Sequence, residues 1–242
     1  MNITRNTSMG DIVAQNINNA NVLNQYNLDF CCGGDQTLAT ACLEKNIDVN
    51  EVIQVINSNI SSLEAPALQF NTWRLDLLID YIVKYHHHYI RTQGIETYKL
   101  LEKVCQVHGE QNPSLFQVKE LMYESLTDLH QHLDKEEIVL FPFIHELLQA
   151  EAQHQTLPQF HCGSIENPIS VMMSEHDGEG ERFRQISELT NSYTPPSYAC
   201  NSYQLVLHLL KEFEQNLHIH IHVENNILFP KSIALQYKLS NK

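Results

Sequence analysis

The sequence predicts an all-α protein in which a small helical domain precedes a four-helix bundle. Apolar residues recur at steps of three and four residues almost throughout the chain, which is the periodicity of amphipathic helices. Alternating β-branched runs bounded by hairpin turns, which would indicate strands, are nearly absent. The chain has 242 residues, enough for one sizeable domain with a small companion.

Residues 1–62 are predicted to form the small N-terminal domain. Ser8 is a candidate N-cap for a first helix, and Asp35 is a candidate cap for a helix over "QTLATACLEKN". Asp48, followed three residues later by Glu51, makes a capping-box pattern in front of "VIQVINSNI". These signals predict several short helices.

Residues 73–242 are predicted to form the bundle, after a linker over 63–72 that contains a proline and lacks clear periodicity. Four amphipathic segments, helices A to D, follow one another, and helix C is expected to start with Asn167 as its cap and Pro168 in its first turn. The predicted inward faces are Leu75, Leu78, Ile79, Ile82 and His86 in helix A; Val118, Met122, Ser125, Leu129, His132, Glu136 and Leu140 in helix B; Ile169, Met172, His176, Phe183 and Ile186 in helix C; and Val206, Leu210, Phe213, Leu217, His220, Glu224 and Leu228 in helix D.

Composition and charge narrow the choice of partners and compartment. The net charge of −14 argues against a nucleic-acid backbone or an anionic membrane as a partner. The N-terminus lacks the basic start and apolar core of a signal peptide, and no apolar run approaches the roughly 20 residues of a membrane span. The six cysteines show no disulfide-rich spacing. A cytoplasmic protein with reduced thiols is therefore expected.

One motif occurs twice in the predicted bundle. "HLDKEEIVLFP" starts at His132 and "HIHVENNILFP" starts at His220, and both have the form H-x-x-x-E-x-x-x-L-F-P. Residues four apart lie on one face of a helix, so His132 with Glu136, and His220 with Glu224, each direct two ligands at one place in the core. The Leu-Phe-Pro endings are interpreted as structural signals that kink or terminate the two helices.

A further inward histidine precedes each motif, and this completes a candidate metal site. His86 stands ahead of the first motif and His176 ahead of the second, giving four imidazoles and two carboxylates in all. A lone histidine on an apolar face is usually a core residue, but the matched recurrence in both halves favours a binuclear metal site. Nitrogen and oxygen ligands suit iron or manganese better than copper(I), and zinc is a lesser alternative.

Other polar residues are weaker candidates for the site. Glu175 and Asp128 are candidate acids that support a ligand or line an access path. His161 and Cys162 lie in an irregular connection and receive no role. Five histidines displaced from the inward faces are predicted to be solvated or to serve packing, namely His87, His88, His130, His218 and His222.

The stretch "NLDFCCGGDQTL" contains adjacent cysteines, Cys31 and Cys32, followed by two glycines. A helix starting just after them would lower the pKa of a thiol through its dipole and its free amides. The glycines, Gly33 and Gly34, would allow close approach of a partner or ligand. Two readings stay open: a buried apolar cysteine beside a simple turn, or a thiolate role in redox chemistry or iron transfer.

Taken together, "YNLDFCCGGDQTL", "HLDKEEIVLFP", "PISVMMSEHD" and "HVENNILFP" resemble the repair-of-iron-centres (RIC) di-iron protein family, which is YtfE/ScdA-like. The resemblance covers nearly the whole chain and implies a hemerythrin-like four-helix bundle behind a short domain that carries the cysteine pair. It implies two non-haem iron ions with carboxylate and oxo or hydroxo bridges. The implied terminal ligands are His86, His132, His176 and His220, and the implied bridging ligands are Glu136 and Glu224.

The resemblance also implies a function, namely cytoplasmic repair of iron–sulfur clusters damaged by nitric oxide or peroxide. The implied partners are damaged iron–sulfur proteins, and a homodimer is compatible with the family. Iron donation is favoured because an oxygen carrier of this fold is expected to use five histidines, so a site with four should hold iron more loosely. The alternatives are a di-iron nitric oxide reductase and a sensor or carrier of nitric oxide or oxygen, so the status as an enzyme stays open.

Overall fold

A computed structural model describes residues 3–60 and 68–241, and the described chain is helical with only one isolated bridge, between Ser8 and Thr37. The all-α prediction is confirmed. The N-terminal unit consists of α1 Met9–Gln15, α2 Asn19–Gln25, α3 Leu38–Glu44 and α4 Val49–Ile60.

The caps of these short helices follow the sequence in part. The Ser8 side chain accepts a backbone N–H of the first turn of α1, as predicted. Asp48 likewise accepts a first-turn N–H of α4, but Glu51 accepts a hydrogen bond from Tyr26 instead of closing a capping box. The cap predicted at Asp35 is wrong, because α3 starts at Leu38 and Thr37, in extended conformation, caps it.

The predicted linker over 63–72 lies partly outside the described residues, which resume at 68. Phe70–Thr72 forms a 3₁₀ helix. The Phe70 ring packs against Trp73 and Tyr81, with centroid distances of 4.8 Å and 5.0 Å. The entrance to the bundle is thus an aromatic cluster, and the domain division stays a prediction.

Four long helices form the bundle: helix A over 75–108, helix B over 114–152, helix C over 166–189 and helix D over 201–240. Helix A packs against helices B and D, and helix B packs against helix C. The segments are α5 Leu75–Tyr81, π-helices Ile82–His87 and Ile90–Gly94, and α6 Ile95–His108 in helix A; α7 Ser114–Lys135, π-helix Glu136–Leu140 and α8 Phe141–Ala152 in helix B; α9 Glu166–Leu189 as helix C; and α10 Asn201–Val223, π-helix Glu224–Leu228 and α11 Phe229–Ser240 in helix D.

The two Leu-Phe-Pro endings do not terminate their helices. Pro142 and Pro230 each lie in the first turn of an α-helix that continues for two more turns, α8 and α11. A proline has no N–H to donate, and the turn in front of it is widened into a π-helix. Each π-helix starts at the glutamate of the repeated motif, so the motif specifies a local widening at Glu136 and Glu224.

Helix C starts slightly earlier than predicted. Its first residue is Glu166, so the predicted cap at Asn167 is wrong; the Asn167 side chain instead donates to the carbonyl of Cys162. Helix B extends to Ala152, which shortens the irregular connection between helices B and C.

The buried side chains form two apolar clusters, one at each end of the bundle. The first joins the N-terminal unit to α6, α7, the second half of α9 and α10, and the second joins α5, α8, the start of α9 and α11. Between the clusters, every helix carries a buried polar residue. Within the described ranges, no helix is both long enough and apolar enough to cross a bilayer.

Candidate metal centre

A buried polar layer crosses the middle of the bundle and contains all six residues predicted as metal ligands. None of these side chains is more than 3% exposed. The residues are His86, His132, Glu136, His176, His220 and Glu224. Buried ionisable groups are unfavourable unless they are paired or bind a metal, so the layer needs a chemical explanation.

The ligand atoms of this layer form two groups that share their carboxylates. The first group joins His132 and His176 to Glu136 and Glu224, and the second joins His87 and His220 to the same glutamates. Within each group, all ligand atoms lie within 4.8 Å of one another. Two carboxylates between two pairs of imidazoles can hold two cations side by side.

Similar distances in the two groups reflect the internal repeat. In each group, each imidazole Nε2 approaches one carboxylate oxygen. The distances are 3.4 Å from His132 to Glu136, 3.2 Å from His176 to Glu224, 3.3 Å from His87 to Glu136 and 3.1 Å from His220 to Glu224.

The same atoms lack hydrogen-bond partners, and a metal ion would satisfy them. All four carboxylate oxygens of Glu136 and Glu224 are buried without a hydrogen bond from any described residue. The Nε2 atoms of His86, His87 and His220 are in the same condition. Each such group loses its hydration on burial, which costs about 1–3 kcal/mol. The donor set therefore fits a metal centre of imidazoles and carboxylates.

Outer partners fix the orientation of the two histidines in the first group. His132 Nδ1 lies 2.8 Å from Glu175 Oε2, and Glu175 also pairs with Lys135. His176 Nδ1 lies 2.8 Å from Asn225 Oδ1. Because the oxygens accept, each Nδ1 carries the proton, which leaves the Nε2 lone pair directed at the core. Glu175 thus holds the His132 ring, and its support of a metal ligand stays a prediction.

Two histidines of helix A are oriented in the same way. His86 Nδ1 lies 3.0 Å from Asn216 Oδ1, and His87 Nδ1 lies 2.7 Å from Glu137 Oε1. Glu137 is itself held by Arg91. Both histidines therefore turn Nε2 toward the interior.

The pKa values reflect the charge of the buried carboxylates. Burial lowers the pKa of His132, but the carboxylates of Glu136, Glu224 and Glu175 together outweigh burial and raise that pKa to about 9. Burial opposes ionisation of Glu136, yet His132 and His87 hold its pKa well below the usual range. Burial lowers the pKa of His86 to about 3, so this imidazole is neutral and can act as a ligand. The layer requires positive charge, supplied either by protons or by metal.

His87 is not solvated and does not point away from the core, because its side chain is fully buried and its Nε2 faces Glu136. The other predicted possibility, a packing role, agrees with the stacking of its ring on Phe141. An α-helix turns about 100° per residue, which would send His87 away from the core. The π-helix Ile82–His87 has more residues per turn, so His86 and His87 both point inward. His86 lies next to the second group, with its ring 5.5 Å from that of His220, and its role as a ligand stays a prediction.

The remaining extra histidines agree with their predicted roles. His88 is exposed. His218 and His222 pack edge-on against Phe30 of the N-terminal unit, with centroid distances of 6.3 Å and 5.7 Å. His130 Nδ1 lies 2.6 Å from the carbonyl of Leu126.

A cavity of about 310 Å³ lies between helices B and C and borders His132 and His176. Its walls carry charged pairs: Arg182 bonds Asp128 across the two helices. Lys135 and Glu175 form a second charged pair in the cavity wall. Asp128 thus lines this cavity, and its predicted place on an access path to the site stays a prediction. The cavity connects the first ligand group with the exposed wall residues.

The cysteine pair lies beside the backbone of His176, which belongs to the first ligand group. Cys32 Sγ lies 3.6 Å from the carbonyl oxygen of His176, and the two thiols are free with their sulfurs 3.9 Å apart. The pair is not at a helix start, since α3 begins only at Leu38. The prediction of a lowered thiol pKa is therefore wrong for Cys31: its hydrogen bond with Cys32, its burial and the charge of Asp29 raise that pKa well above its usual range.

The glycines after the cysteines serve close packing. A Cβ at Gly34 would collide with the Asn226 side chain of helix D, so the N-terminal unit can approach the bundle this closely only with a glycine here. Asn226 also donates to the carbonyls of Phe30 and Cys31. The cysteine segment is thus fixed to the helix that carries His220 and Glu224.

Comparison with known proteins gives two family matches and a set of full-length relatives. The hemerythrin HHE cation binding domain matches residues 78–232, and ScdA_N, described as a domain of unknown function (DUF542), matches residues 5–60. The iron-sulfur cluster repair protein YtfE of Yersinia pseudotuberculosis serotype IB (strain PB1/+) is 33% identical over 232 residues, which cover 95% of this chain and 97% of the relative. YtfE of Yersinia pestis (strain Pestoides F) gives the same identity and coverage.

Proposed function

This chain belongs to the family of the iron-sulfur cluster repair protein YtfE, with a hemerythrin HHE domain, and we propose that it repairs damaged iron–sulfur clusters by donating iron from a two-iron site. The observation that carries the proposal is the pair of ligand groups that share Glu136 and Glu224. Iron–sulfur cluster repair is the function by which the relatives are named.

The proposed ligands are those of the polar layer. One iron would take His132 and His176, the other would take His220 with a histidine of helix A, and Glu136 and Glu224 would bridge the two irons together with an oxo or hydroxo group. Oxygen and nitrogen donors without a thiolate suit iron, and manganese fits the same donors. When bound, the irons supply both a transferable metal and a centre at which a diatomic molecule can bind.

The cavity beside His132 and His176 supports release of iron from that side. Glu175 holds the His132 ring through Nδ1 and is itself held by Lys135. An approaching client surface that competes for Lys135 would free Glu175, and the His132 ring would then lose its fixed orientation. Release would thus be coupled to contact with the client.

The cysteine pair is proposed to act in iron transfer. Cys32 is partly exposed beside the carbonyl of His176, and a carboxylate from Asp29 lies with both sulfurs in one potential cation-binding group. We propose a cytoplasmic setting, because free thiols persist in a reducing compartment. The proposed clients are iron–sulfur proteins damaged by nitric oxide or peroxide, and a homodimer is compatible with this role.

The test mixes reduced protein loaded with ⁵⁷Fe and a cluster enzyme bleached by nitric oxide, without oxygen. Recovery of enzyme activity together with transfer of ⁵⁷Fe into the client is expected from the wild type and not from Glu136→Gln. Glu212→Gln is the matched control, because Glu212 also stands four residues after a histidine but on the exposed face of helix D. Recovery without label transfer would contradict donation.

Nitric oxide reduction is the second candidate, and the same cavity favours it because a diatomic molecule could enter there. In the same experiment, formation of nitrous oxide while the ⁵⁷Fe label stays on the protein would indicate that the protein reduces nitric oxide and does not donate iron. A reversible nitric oxide adduct without either product would indicate a sensor or carrier.

A further inference from the structure

The two ligand groups differ in what surrounds them. The first, at His132 and His176, borders the cavity between helices B and C. The second, at His87 and His220, is enclosed: both side chains are 0% exposed, and the His87 ring stacks on Phe141 at a centroid distance of 5.8 Å. The internal repeat predicts equal metal positions, whereas the structure makes one open and the other closed.

The closed group also has one more imidazole within reach. His86 and His87 are consecutive residues of one π-helical turn, and both have Nε2 buried without a hydrogen-bond partner in the described structure. Their rings lie 5.5 Å and 5.2 Å from that of His220. The open group has no such additional histidine among its ligands.

His87 carries the outer support that is typical of a metal-bound histidine. Its Nδ1 donates to Glu137, and Glu137 is paired with Arg91, which also pairs with Asp134 at 2.8 Å. This chain of contacts links helix A to helix B and fixes the tautomer with the Nε2 lone pair facing Glu136. Such carboxylate–histidine pairs orient metal ligands and raise their basicity.

We propose, on the basis of the proposed function, that His87 is a ligand of the closed metal position and that the two irons are therefore unequal. The closed iron is bound by His87 and His220 with His86 beside them, and it is retained. The open iron, bound by His132 and His176 next to the cavity, is the one that is donated. A fifth imidazole thus divides the site into a resident metal and a transferable metal.

The test follows the removal of iron from reduced wild-type protein by a chelator. Two phases are expected, with about half of the iron in each, because the two positions have different ligand sets. In His87→Gln, the slow phase should speed up by about 10-fold or more, the range seen when support of a metal site is lost. His88→Gln is the matched control, since His88 is the next residue and is exposed.

A second variant guards against misfolding of His87→Gln. Glu137→Gln keeps the His87 ring but weakens its orientation, so it should speed up the slow phase by a smaller factor. X-ray absorption at the iron edge gives an independent readout, because the average number of imidazole nitrogens per iron should fall in His87→Gln and stay constant in His88→Gln.

The outcomes separate this inference from the proposed function. Unchanged slow release and unchanged imidazole count in His87→Gln would overturn the role of His87, even while Glu224→Gln lowers iron well below one per chain. A wild-type protein that binds no iron would instead overturn the two-iron function. Loss of both phases in His87→Gln, with the native helical signal kept, would contradict a separate resident position.

Discussion

The Nε2 atoms of His132 and His176 face each other at 3.0 Å in the middle of the bundle. Their Nδ1 atoms face the oxygens of Glu175 and Asn225, which leaves both Nε2 atoms as acceptors when the rings are neutral. Two lone pairs at this distance repel each other unless a proton or a metal cation lies between them. The relationship therefore makes the site dependent on bound positive charge.

Removal of the metal is expected to lower the stability of the bundle. A ligand present at about 1,000 times its dissociation constant stabilises the folded state by about 4 kcal/mol. Thermal unfolding of the reduced, iron-loaded protein should thus occur at a higher temperature than unfolding of the chelated protein. Glu224→Gln serves as control, since it loses a carboxylate shared by both ligand groups and should bring the two curves close together. Equal unfolding temperatures for the loaded and chelated wild type would contradict the metal centre.

Loss of a shared carboxylate should impair metal binding more than loss of a histidine. Glu224 belongs to both ligand groups, whereas His176 belongs to one. The wild type is expected to bind about two irons per chain. Glu224→Gln should lower the bound iron well below about one per chain, and His176→Gln should leave about one iron per chain. Iron analysis after anaerobic loading and desalting measures both values.

The control for this comparison lies on the same helix. His208 and Glu212 have the same four-residue spacing, at 3.4 Å, but their side chains are 65% and 48% exposed. His208→Gln and Glu212→Gln should bind as much iron as the wild type. A smaller loss in Glu224→Gln than in His176→Gln would argue against shared carboxylates.

Glu175 is expected to set the affinity of the open group without binding metal itself. Substitution of a residue that orients a metal-bound histidine weakens binding by about 10- to 100-fold. Glu175→Gln should therefore raise the dissociation constant of the weaker iron within this range. Glu181→Gln on the same helix, where Glu181 pairs with Arg184 on the surface, should have no effect. Competition with a metal-sensitive dye gives the dissociation constants of the wild type and of each variant. Equal constants for the wild type and Glu175→Gln would contradict a role of Glu175 in metal binding.

The periodicity of the sequence was sufficient for the fold because the apolar faces of four helices needed only α-helical spacing. The paired motif around His132 and His220 likewise identified buried candidate ligands, since a residue and its fourth neighbour share a face in an α-helix. The inward direction of His87 could not be predicted in this way, because it depends on a π-helical turn that changes the rotation per residue.

The contacts between the N-terminal unit and the bundle could not be predicted from local sequence patterns either. The thiol environment of Cys31 depends on the turn that follows and on helix D, and both are determined by tertiary packing. Only the glycines hinted at a close approach, and Gly34 fulfils that role against Asn226. Hydrogen bonds such as that between His132 and Glu175 join different helices and leave no signature in either helix alone.

The two thiols of the cysteine pair should react at different rates. Cys31 is only 4% exposed and its pKa is raised, whereas Cys32 is more accessible. Brief alkylation of the native protein near pH 8 should thus modify Cys32 before Cys31, because the thiolate is the reactive form. Peptide mass spectrometry resolves the two sites, and exposed Cys200 provides an internal standard. Faster labelling of Cys31 would contradict the described packing of the pair.

Glu214 should make the protein less stable as the pH rises from about 4.5 to about 7. Burial raises the pKa of this helix D carboxyl from 4.5 to about 7, although the Tyr193 hydroxyl opposes the shift. The folded state therefore keeps a proton that the unfolded chain releases, so the contribution to stability is complete below pH 4.5 and is lost as the pH rises through 7.

Glu214→Gln removes this loss, because its amide is neutral at every pH. After allowance for the partial exposure of Glu214, the variant should gain about 1–2 kcal/mol over the wild type at pH 8 relative to pH 5. Urea unfolding of both proteins at the two pH values gives the difference, in which the pH dependence of the metal site cancels. Glu212→Gln, exposed on the same helix, should show no such gain. A gain of equal size at pH 5 and pH 8 would mean that the carboxyl of Glu214 titrates normally and that its replacement acts through packing.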